Sequence, residues 1–400
     1  MKRYLKRGTM IFGALLIIGA IAFHKPAIRI YKVLHFFDKE NIVENFRTAD
    51  QTFGKSIIKR SGPVYQLPVK IQPIGDTYMY NGKQKSIQKF LKDNWATSFI
   101  VLKNGVIIHE QYFRGNTAKT KSISWSVSKS ILSAIFGIAV KEGKIDIEKN
   151  VNHYVPFLKG SGYEGVRIKD VLQMSSGIKF NEDYGDYNSD INRMGRLLAL
   201  NTSIDDFVKS LKRDKKPGTY NHYVSMDTQV LGMILKNAIG QSITQYMHKK
   251  LWGPLGAESD AYWCVDNNGM ELVFGALNAV ARDYARFGLL YLNKGKLNGR
   301  QIVPAQWVKD SITPDAPHLM AGRKEKGKKY VPGYGYQWWI PPITDGDFVA
   351  IGIYNQYIYV NPKKRVVIVK SSAYPHYNKD GKQRSQENVI MFKKIAKSLK

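Results

Sequence analysis

The sequence predicts an α+β fold in which one antiparallel sheet is joined to a helical lobe. Strand patterns lie near both ends of the chain, whereas helical patterns dominate from about residue 145 to residue 318. Strands at both ends with helices inserted between them indicate a single sheet assembled from distant parts of the sequence. A functional site is expected in the cleft between the sheet and the lobe.

Length and composition indicate a globular protein. The chain has 400 residues, of which 44% are hydrophobic and 12% aromatic, enough for one large or two modest cores. The formal net charge is +29, but Lys and Arg are spread along the chain without a zinc-finger spacing or a basic-aromatic repeat. We therefore expect no nucleic-acid partner, and an anionic surface or polymer is a candidate partner for this charge.

The sequence gives no support for disulfide, metal or cofactor chemistry. Cys264 is the only cysteine, which excludes an intramolecular disulfide. The eight histidines include no close pair of the kind that metal sites use. Neither a Gly-x-Ser-x-Gly elbow nor a Gly-rich phosphate loop occurs. We expect a protein that needs neither a metal nor a cofactor.

The N-terminus has the layout of a secretory signal peptide or a signal anchor. Four basic residues within the first seven precede an uncharged, mostly apolar run over residues 8–23. Bulky Phe23 disfavours cleavage after the small residues before it. We expect residues 1–24 to cross the cell membrane once, with the remainder outside the cytoplasm, or secreted or periplasmic if the segment is cleaved.

The strand patterns begin after a lead-in segment over residues 25–95, which has no strong period. Residues 98–102 and 106–113 are rich in β-formers and flank Asn104-Gly105, the strongest short signal for a hairpin. We assign residues 96–400 to the main domain. Near the C-terminus, the sequence predicts four strands and a closing helix, at residues 334–340, 348–353, 356–360, 365–370 and 387–399.

Ser126 and Lys129 are the leading candidates for chemistry. They stand three residues apart at the predicted first turn of a helix, so that their side chains share one face. The same spacing occurs at Ser56/Lys59, Ser86/Lys89 and Ser176/Lys179. Only the copy at Ser126 precedes a run that is apolar almost all round, typical of a buried helix. The unpaired amides and positive dipole end of such a helix favour a developing oxyanion.

Three further segments complete a recognisable set of motifs. They follow Ser126 in the order 168–177, 217–225 and 281–290. The set resembles the serine β-lactamase-like family, which includes class C β-lactamases, D-alanyl-D-alanine carboxypeptidases, family VIII esterases and 6-aminohexanoate-dimer hydrolase. The resemblance covers roughly residues 40–375, and it implies a β-lactamase/penicillin-binding-protein-like fold, with the antiparallel sheet flanked by terminal helices.

The resemblance implies a role for each matching residue. Ser126 is the nucleophile and Lys129 its general base. Tyr223, in the family's Tyr-x-Asn/Ser motif, shuttles the proton to the leaving group, and Ser225 holds the last place of that motif. Chemistry supports these roles because a Ser hydroxyl needs an adjacent base, and Lys129 serves as one only if its pKa falls toward neutrality.

The family's third motif matches Ala350-Ile351-Gly352. The resemblance implies that the backbone amides of Ser126 and Ile353 form an oxyanion hole, and that Gly352 lets a substrate approach the strand edge. Where β-lactamases carry a cation that grips a carboxylate, this chain has Ala350. The departure disfavours a dedicated penicillinase or carboxypeptidase and favours an esterase or linear-amide hydrolase.

Three aromatic residues are candidates for the wall of the pocket. Tyr184, Trp338 and Trp339 either bind substrate there or have a plain packing role.

We therefore expect a serine hydrolase that cleaves a small or peptide-like ester or amide through an acyl-enzyme. One alternative is a β-lactamase or D-alanyl-D-alanine carboxypeptidase acting on cell-wall material. The other is a non-catalytic protein that uses the same fold to bind a wall polymer.

Overall fold

Two antiparallel sheets and a set of helices make up the computed structural model, which describes residues 27–200, 202–325 and 331–399. The strands within these ranges are β1 Gly54–Ile58, β2 Thr77–Tyr80, β3 Lys83–Ser86, β4 Ala96–Lys103, β5 Val106–Tyr112, β6 Lys121–Ile123, β7 Ala261–Val265, β8 Leu277–Val280, β9 Lys296–Leu297, β10 Arg300–Gln301, β11 Gly333–Tyr334, β12 Trp339–Ile340, β13 Phe348–Gly352, β14 Gln356–Asn361 and β15 Val366–Ser372.

The main sheet joins the two ends of the domain, as the strand patterns predict. Within the described residues it has the order β11-β12-β13-β14-β15-β4-β5, with antiparallel neighbours throughout. The pairing of β15 with β4 brings residues 366–372 beside residues 96–103. Asn104 and Gly105 both take positive φ between β4 and β5, the backbone that an Asn-Gly turn favours. The predicted α+β fold is confirmed.

A second sheet, in the order β1-β7-β8-β6, packs beside the helices. Its first strand comes from the lead-in segment and pairs with Ala261–Val265, inside the region where helical patterns dominate. The helical prediction was too broad there because short apolar runs of this kind fit a buried strand and a buried helix equally well. Two small hairpins, β2-β3 and β10-β9, complete the strands of the described residues.

The helices build the lobe and cover the sheet. Residues 27–34 are helical, and the α-helices after them are Ile42–Asn45, Ile87–Asp93, Val127–Lys141, Val151–Tyr154, Ile168–Leu172, Asp190–Ala199, Ile204–Ser210, Ser225–Ile239, Ile243–Met247, Ala281–Leu292, Ala305–Ser311 and Tyr377–Ser398. Every residue of Val127–Lys141 up to Ala139 is buried. The all-round apolar run after Ser126 is therefore a central helix, as its pattern predicts.

The terminal helix is longer than its sequence pattern indicates. It begins at Tyr377 rather than near residue 387 and packs against β2 and β14. Its first ten residues are mostly polar, so they lack the apolar period by which a helix is recognised. An ion pair of Asp380 with Arg384, one turn apart, supports this half of the helix.

The predicted membrane location needs correction. Within the described ranges no helix has both the length and the apolar character needed to cross a membrane. This finding contradicts the expectation of a single-pass protein with its main domain outside the cytoplasm. Residues 1–24, on which that expectation was based, lie outside the described residues.

Candidate active site

Ser126 stands at the start of the central helix, behind a strained residue. Trp125 has φ of 45°, a conformation that costs a bulky residue free energy and is held only by its surroundings. Its ring lies 5.2 Å from that of Phe46 and 5.8 Å from that of Tyr354. Ser126 follows in a helical conformation and precedes Val127–Lys141. The packing of Trp125 thus fixes the turn that presents the Ser126 hydroxyl.

Lys129 meets Ser126 one turn into the helix. The distance from Lys129 Nζ to Ser126 Oγ is 3.2 Å, and the amine also donates to Ser225 Oγ at 3.3 Å and to the Phe274 carbonyl. The side chain of Lys129 is fully buried. The amine is therefore held from three directions, one of which is the hydroxyl that it would deprotonate.

Burial makes Lys129 suitable as a base. It lowers the pKa of this amine from 10.5 to about 7, although the carboxyl groups of Glu182 and Asp227 act in the opposite direction. An amine in a low-dielectric site favours its neutral form because the charged form loses its hydration. Near neutral pH a substantial fraction of Lys129 is therefore uncharged and able to accept a proton.

Tyr223 comes from the loop before helix Ser225–Ile239. Burial raises the pKa of its phenol well above 10, although the Ser126 hydroxyl acts in the opposite direction. The Tyr223 ring stacks on Trp339 at 5.4 Å, and Lys129 Nζ lies 5.2 Å from the ring centroid. The structure thus brings Ser126, Lys129 and Tyr223 together, with Tyr223 neutral and holding a proton that it can donate.

Ser225 is buried at the start of the same helix, where it faces Lys129. Its hydroxyl donates to Glu182 Oε1 at 2.5 Å and its backbone N–H to Glu182 Oε2 at 2.9 Å. Tyr184, partly buried, also donates to Glu182 Oε1, at 2.6 Å. Glu182 is a residue of the site that the sequence analysis missed. The only feature of the sequence that could have indicated Glu182 is its position two residues before Tyr184, a predicted pocket residue.

The β13 strand passes close to the turn before Ser126. A Cβ atom added to Gly352 would lie 2.6 Å from the Ser124 carbonyl oxygen, so only glycine allows this approach. Gly352 therefore keeps Ile353, the next residue, near Ser126. The amides of Ser126 and Ile353 make no backbone hydrogen bond in the part of the chain that the structure describes, which leaves both donors available.

The predicted pocket aromatics occupy different environments. Trp339 is partly buried beside Tyr223, whereas Trp338 has no exposed surface and packs among Phe287, Tyr291 and Phe348. Gln337, at φ of 64°, turns the chain between β11 and β12. The single predicted strand is thus broken there, and Trp338 points into the core. Packing is the role that the structure shows for Trp338.

Ala350 is the residue that the family resemblance places where β-lactamases carry a cation. Ala350 is buried on β13, two residues before Gly352 and therefore on the same face of the strand. Within the described ranges, no group of three or more His, Cys, Asp or Glu side chains could hold a metal ion.

Comparison with known proteins finds a matching family and similar structures. Residues 87–389 match the family described as Beta-lactamase. The chain is 30% identical to the 6-aminohexanoate-dimer hydrolase of Paenarthrobacter ureafaciens over 296 residues. This aligned region covers 72% of this chain and 75% of the relative. A solved structure of a proposed 6-aminohexanoate-dimer hydrolase from Bacillus anthracis is 25% identical, with a TM-score of 0.81 over 91% of this chain and 96% of the other.

The fold extends to more distant structures. A class C β-lactamase superposes with a TM-score of 0.57 at 19% identity, over 78% of this chain and 94% of the other. A family VIII carboxylesterase gives 0.53 at 15% identity, over 72% and 91%. At these identities the likeness concerns the fold alone.

Proposed function

The chain belongs to the Beta-lactamase family, and we propose that it is a serine hydrolase that cleaves an ester or a linear amide through an acyl-enzyme on Ser126. The observation that carries this proposal is the contact of Lys129 Nζ with Ser126 Oγ at 3.2 Å, in a site that lowers the pKa of the amine to about 7. A serine hydroxyl is a weak nucleophile until a neighbouring base accepts its proton.

The residues suggest a sequence of proton transfers. Lys129 takes the hydroxyl proton while Ser126 Oγ bonds to the substrate carbonyl carbon. Tyr223 then donates its phenolic proton to the leaving alcohol or amine, the bond to that group breaks, and the ammonium of Lys129 returns a proton to Tyr223. A water molecule repeats the attack on the acyl-enzyme, and its proton passes back through the same groups to Ser126.

An oxyanion hole accompanies this chemistry. The backbone amides of Ser126 and Ile353 are the proposed donors to the carbonyl oxygen as it becomes negative. Each donor of this kind contributes about 3 kcal/mol to stabilising the transition state. Gly352 supports the arrangement because it lets β13 lie against the Ser124 carbonyl.

The environment of Ala350 favours an ester or linear amide over a β-lactam. A buried methyl group offers no charge to a substrate carboxylate, which forfeits a contact worth about 1.5 to 3 kcal/mol. The relative named a 6-aminohexanoate-dimer hydrolase supports the same preference. Tyr184, Trp339 and Gly352 are the proposed substrate-facing residues, in addition to the catalytic three. Ser225, predicted to bind substrate, is buried and contacts Lys129 instead.

A substrate panel tests this proposal. Short-chain nitrophenyl esters and the linear dimer of 6-aminohexanoate should be hydrolysed, nitrocefin should be hydrolysed far more slowly, and the Ser126→Ala variant should be inactive toward all three. Rapid turnover of nitrocefin would favour the cell-wall alternative. Equal rates for the wild-type protein and Ser126→Ala would exclude the proposed mechanism.

A further inference from the structure

Glu182 is a carboxylate of the cleft that the proposed reaction does not use. It is partly buried in the loop before helix Asp190–Ala199. Oε1 accepts from the Ser225 hydroxyl and the Tyr184 phenol, and Oε2 accepts from the Ser225 backbone N–H. Because donors of the protein already occupy both oxygens, this geometry suits a residue that positions its neighbours rather than one that binds a ligand.

Helix Ser225–Ile239 depends on Glu182 for its first turn. Val224 stands at the N-cap, where it has no side-chain acceptor for the free amides of the helix. Glu182 supplies that acceptor from a loop about forty residues earlier, and its charge is favourable at the positive end of the helix. Glu182 therefore fixes the helix end that carries Ser225.

The hydrogen bonds of Ser225 then determine the direction in which the lone pair of the Lys129 amine points. The Ser225 hydroxyl donates its one hydrogen to Glu182, so its oxygen is free to accept from Lys129 at 3.3 Å. A neutral amine has two hydrogens, and the acceptors for them are Ser225 Oγ and the Phe274 carbonyl. The remaining direction, which holds the lone pair, faces Ser126 Oγ.

We propose that Glu182 is a positioning residue for the acyl-transfer reaction, which holds Ser225 so that the lone pair of Lys129 points at the Ser126 hydroxyl. This inference rests on the proposed function. Tyr184 is held through the same carboxylate, so Glu182 links its own loop to the start of the Ser225 helix beside the nucleophile.

The charge of Glu182 also affects the pKa of Lys129, which can be measured separately from the reaction rate. The charged groups that act on Lys129 are Glu182 and Asp227. Burial raises the pKa values of the phenols near the amine or these two carboxyl groups, those of Tyr163, Tyr184, Tyr223, Tyr334 and Tyr377. Burial also raises the pKa of Asp227 to about 8, so this acid is mostly uncharged at neutral pH. Glu182 is then the main negative charge that favours protonated Lys129.

Two substitutions separate position from charge. Glu182→Asp keeps the charge but is one methylene too short to reach Ser225 and Tyr184 together, and Glu182→Gln keeps the length but removes the charge. Asp183→Asn is the matched control, because Asp183 is an exposed neighbour whose carboxylate accepts from the Gly185 N–H. The measurement is the rate of fluorophosphonate labelling at Ser126 across pH, with thermal unfolding to confirm that each variant is folded.

We expect both Glu182 variants to label about 10²-fold more slowly at high pH, the loss that misplacement of a catalytic group by about 1 Å predicts. Aspartate is too short to hold Ser225, and the NH₂ of glutamine cannot accept the second hydrogen bond from Ser225. Glu182→Gln should also move the acidic limb of the profile to lower pH, because loss of the negative charge lowers the pKa of Lys129. Glu182→Asp should leave the limb in place, and Asp183→Asn should match the wild-type protein in both respects.

Wild-type rates and an unmoved limb in both folded Glu182 variants would overturn the positioning role alone. An equal loss in Asp183→Asn would overturn it too, since the effect would then not be specific to Glu182. Failure of the wild-type protein to label at Ser126 would instead overturn the proposed function, so the two failures are distinguishable.

Discussion

At the scale of single residues, the reactivity of Ser126 depends on the charge of Lys129. Burial lowers the pKa of Lys129 because it removes the hydration that stabilises an ammonium group, while Glu182 and Asp227 raise this pKa by a smaller amount. The result is a pKa of about 7, close to the value at which a general base is most effective at neutral pH.

The first prediction concerns the dependence of activity on pH. The amine accepts a proton only when it is uncharged, so ester hydrolysis should fall as the pH drops below about 7 and level off above it. Initial rates measured across pH check this, with thermal unfolding at each pH as the control for stability. A limb near 10, the region of an ordinary lysine, would show that the site does not lower the pKa of Lys129 and would contradict its role as a base at neutral pH.

The second prediction is that Tyr223→Phe lowers kcat by about 10²- to 10⁴-fold, the usual contribution of a general acid. Phenylalanine keeps the ring that stacks on Trp339, so the protein should remain folded. Steady-state kinetics with an ester check the loss. The loss should be smallest for a good leaving group such as nitrophenolate, which needs little protonation, and equal losses for good and poor leaving groups would contradict the role.

Much of the site was predictable at this scale because its chemistry depends on residue type and local spacing. Ser126 and Lys129 share a helix, and the structure brings Tyr223 and Ser225 to them, as the motif comparison implied. Glu182 was not predictable, because its partner Ser225 lies about forty residues away and an acidic residue in a loop is an ordinary surface feature. Trp338 faces the core because of a turn at Gln337 that the aromatic run does not reveal.

At the scale of secondary-structure elements, the turn before Ser126 and the β13-β14 hairpin are held together by aromatic side chains. Tyr354, at the tip of the hairpin, lies 5.8 Å from Trp125 and 5.2 Å from Phe46. Phe37 stacks on Tyr354 at 5.1 Å. Residues of the lead-in segment therefore support the two elements that carry the proposed oxyanion donors, Ser126 and Ile353.

The third prediction is that Gly352→Ala lowers the free energy of unfolding by about 1 to 3 kcal/mol and reduces kcat, because the added methyl group meets the Ser124 carbonyl. The strand must shift away from Ser126 and take the Ile353 amide with it. Denaturant unfolding and ester hydrolysis check the two effects. Gly195→Ala is the control, since a Cβ at this helical position meets no atom within 4 Å; equal behaviour of the two variants would contradict the account.

The elements differ in how well the sequence predicts them. The β4-β5 hairpin and the central helix follow from strong local patterns, Asn104-Gly105 in one case and an apolar run in the other. Strand β7 depends on its partner β1, which lies some two hundred residues earlier. Pairing across such a distance leaves no local pattern in the sequence, so β7 was not predicted in a region where helical patterns dominate.

At the scale of the whole molecule, the motif segment 281–290 ties distant parts of the chain together. Arg286 is almost fully buried and donates to Asp283 at 2.8 Å, to Glu258 at 2.9 Å and to the Tyr65 carbonyl at 2.9 Å. Asp283 in turn accepts from the backbone amides of Glu258 and Ser259. The structure therefore shows a structural role for this segment, through contacts that also hold the lead-in segment.

The fourth prediction is that Arg286→Met lowers the free energy of unfolding by about 3 to 5 kcal/mol, because it leaves the buried Asp283 carboxylate without its cation. Denaturant unfolding checks the loss. Arg193→Met is the matched control, since Arg193 makes an exposed pair with Asp190, of a kind worth less than about 1 kcal/mol. A small loss of stability in Arg286→Met, similar to that in Arg193→Met, would contradict the proposed structural role of Arg286.

The central claim is that Ser126 forms a covalent bond with the substrate, and mass mapping of a fluorophosphonate adduct tests it most directly. We predict one adduct per chain, on the peptide that contains Ser126, with a labelling rate that increases through pH 7 and no adduct in Ser126→Ala. A folded wild-type protein that stays unlabelled, or an adduct that persists in Ser126→Ala, would contradict the account.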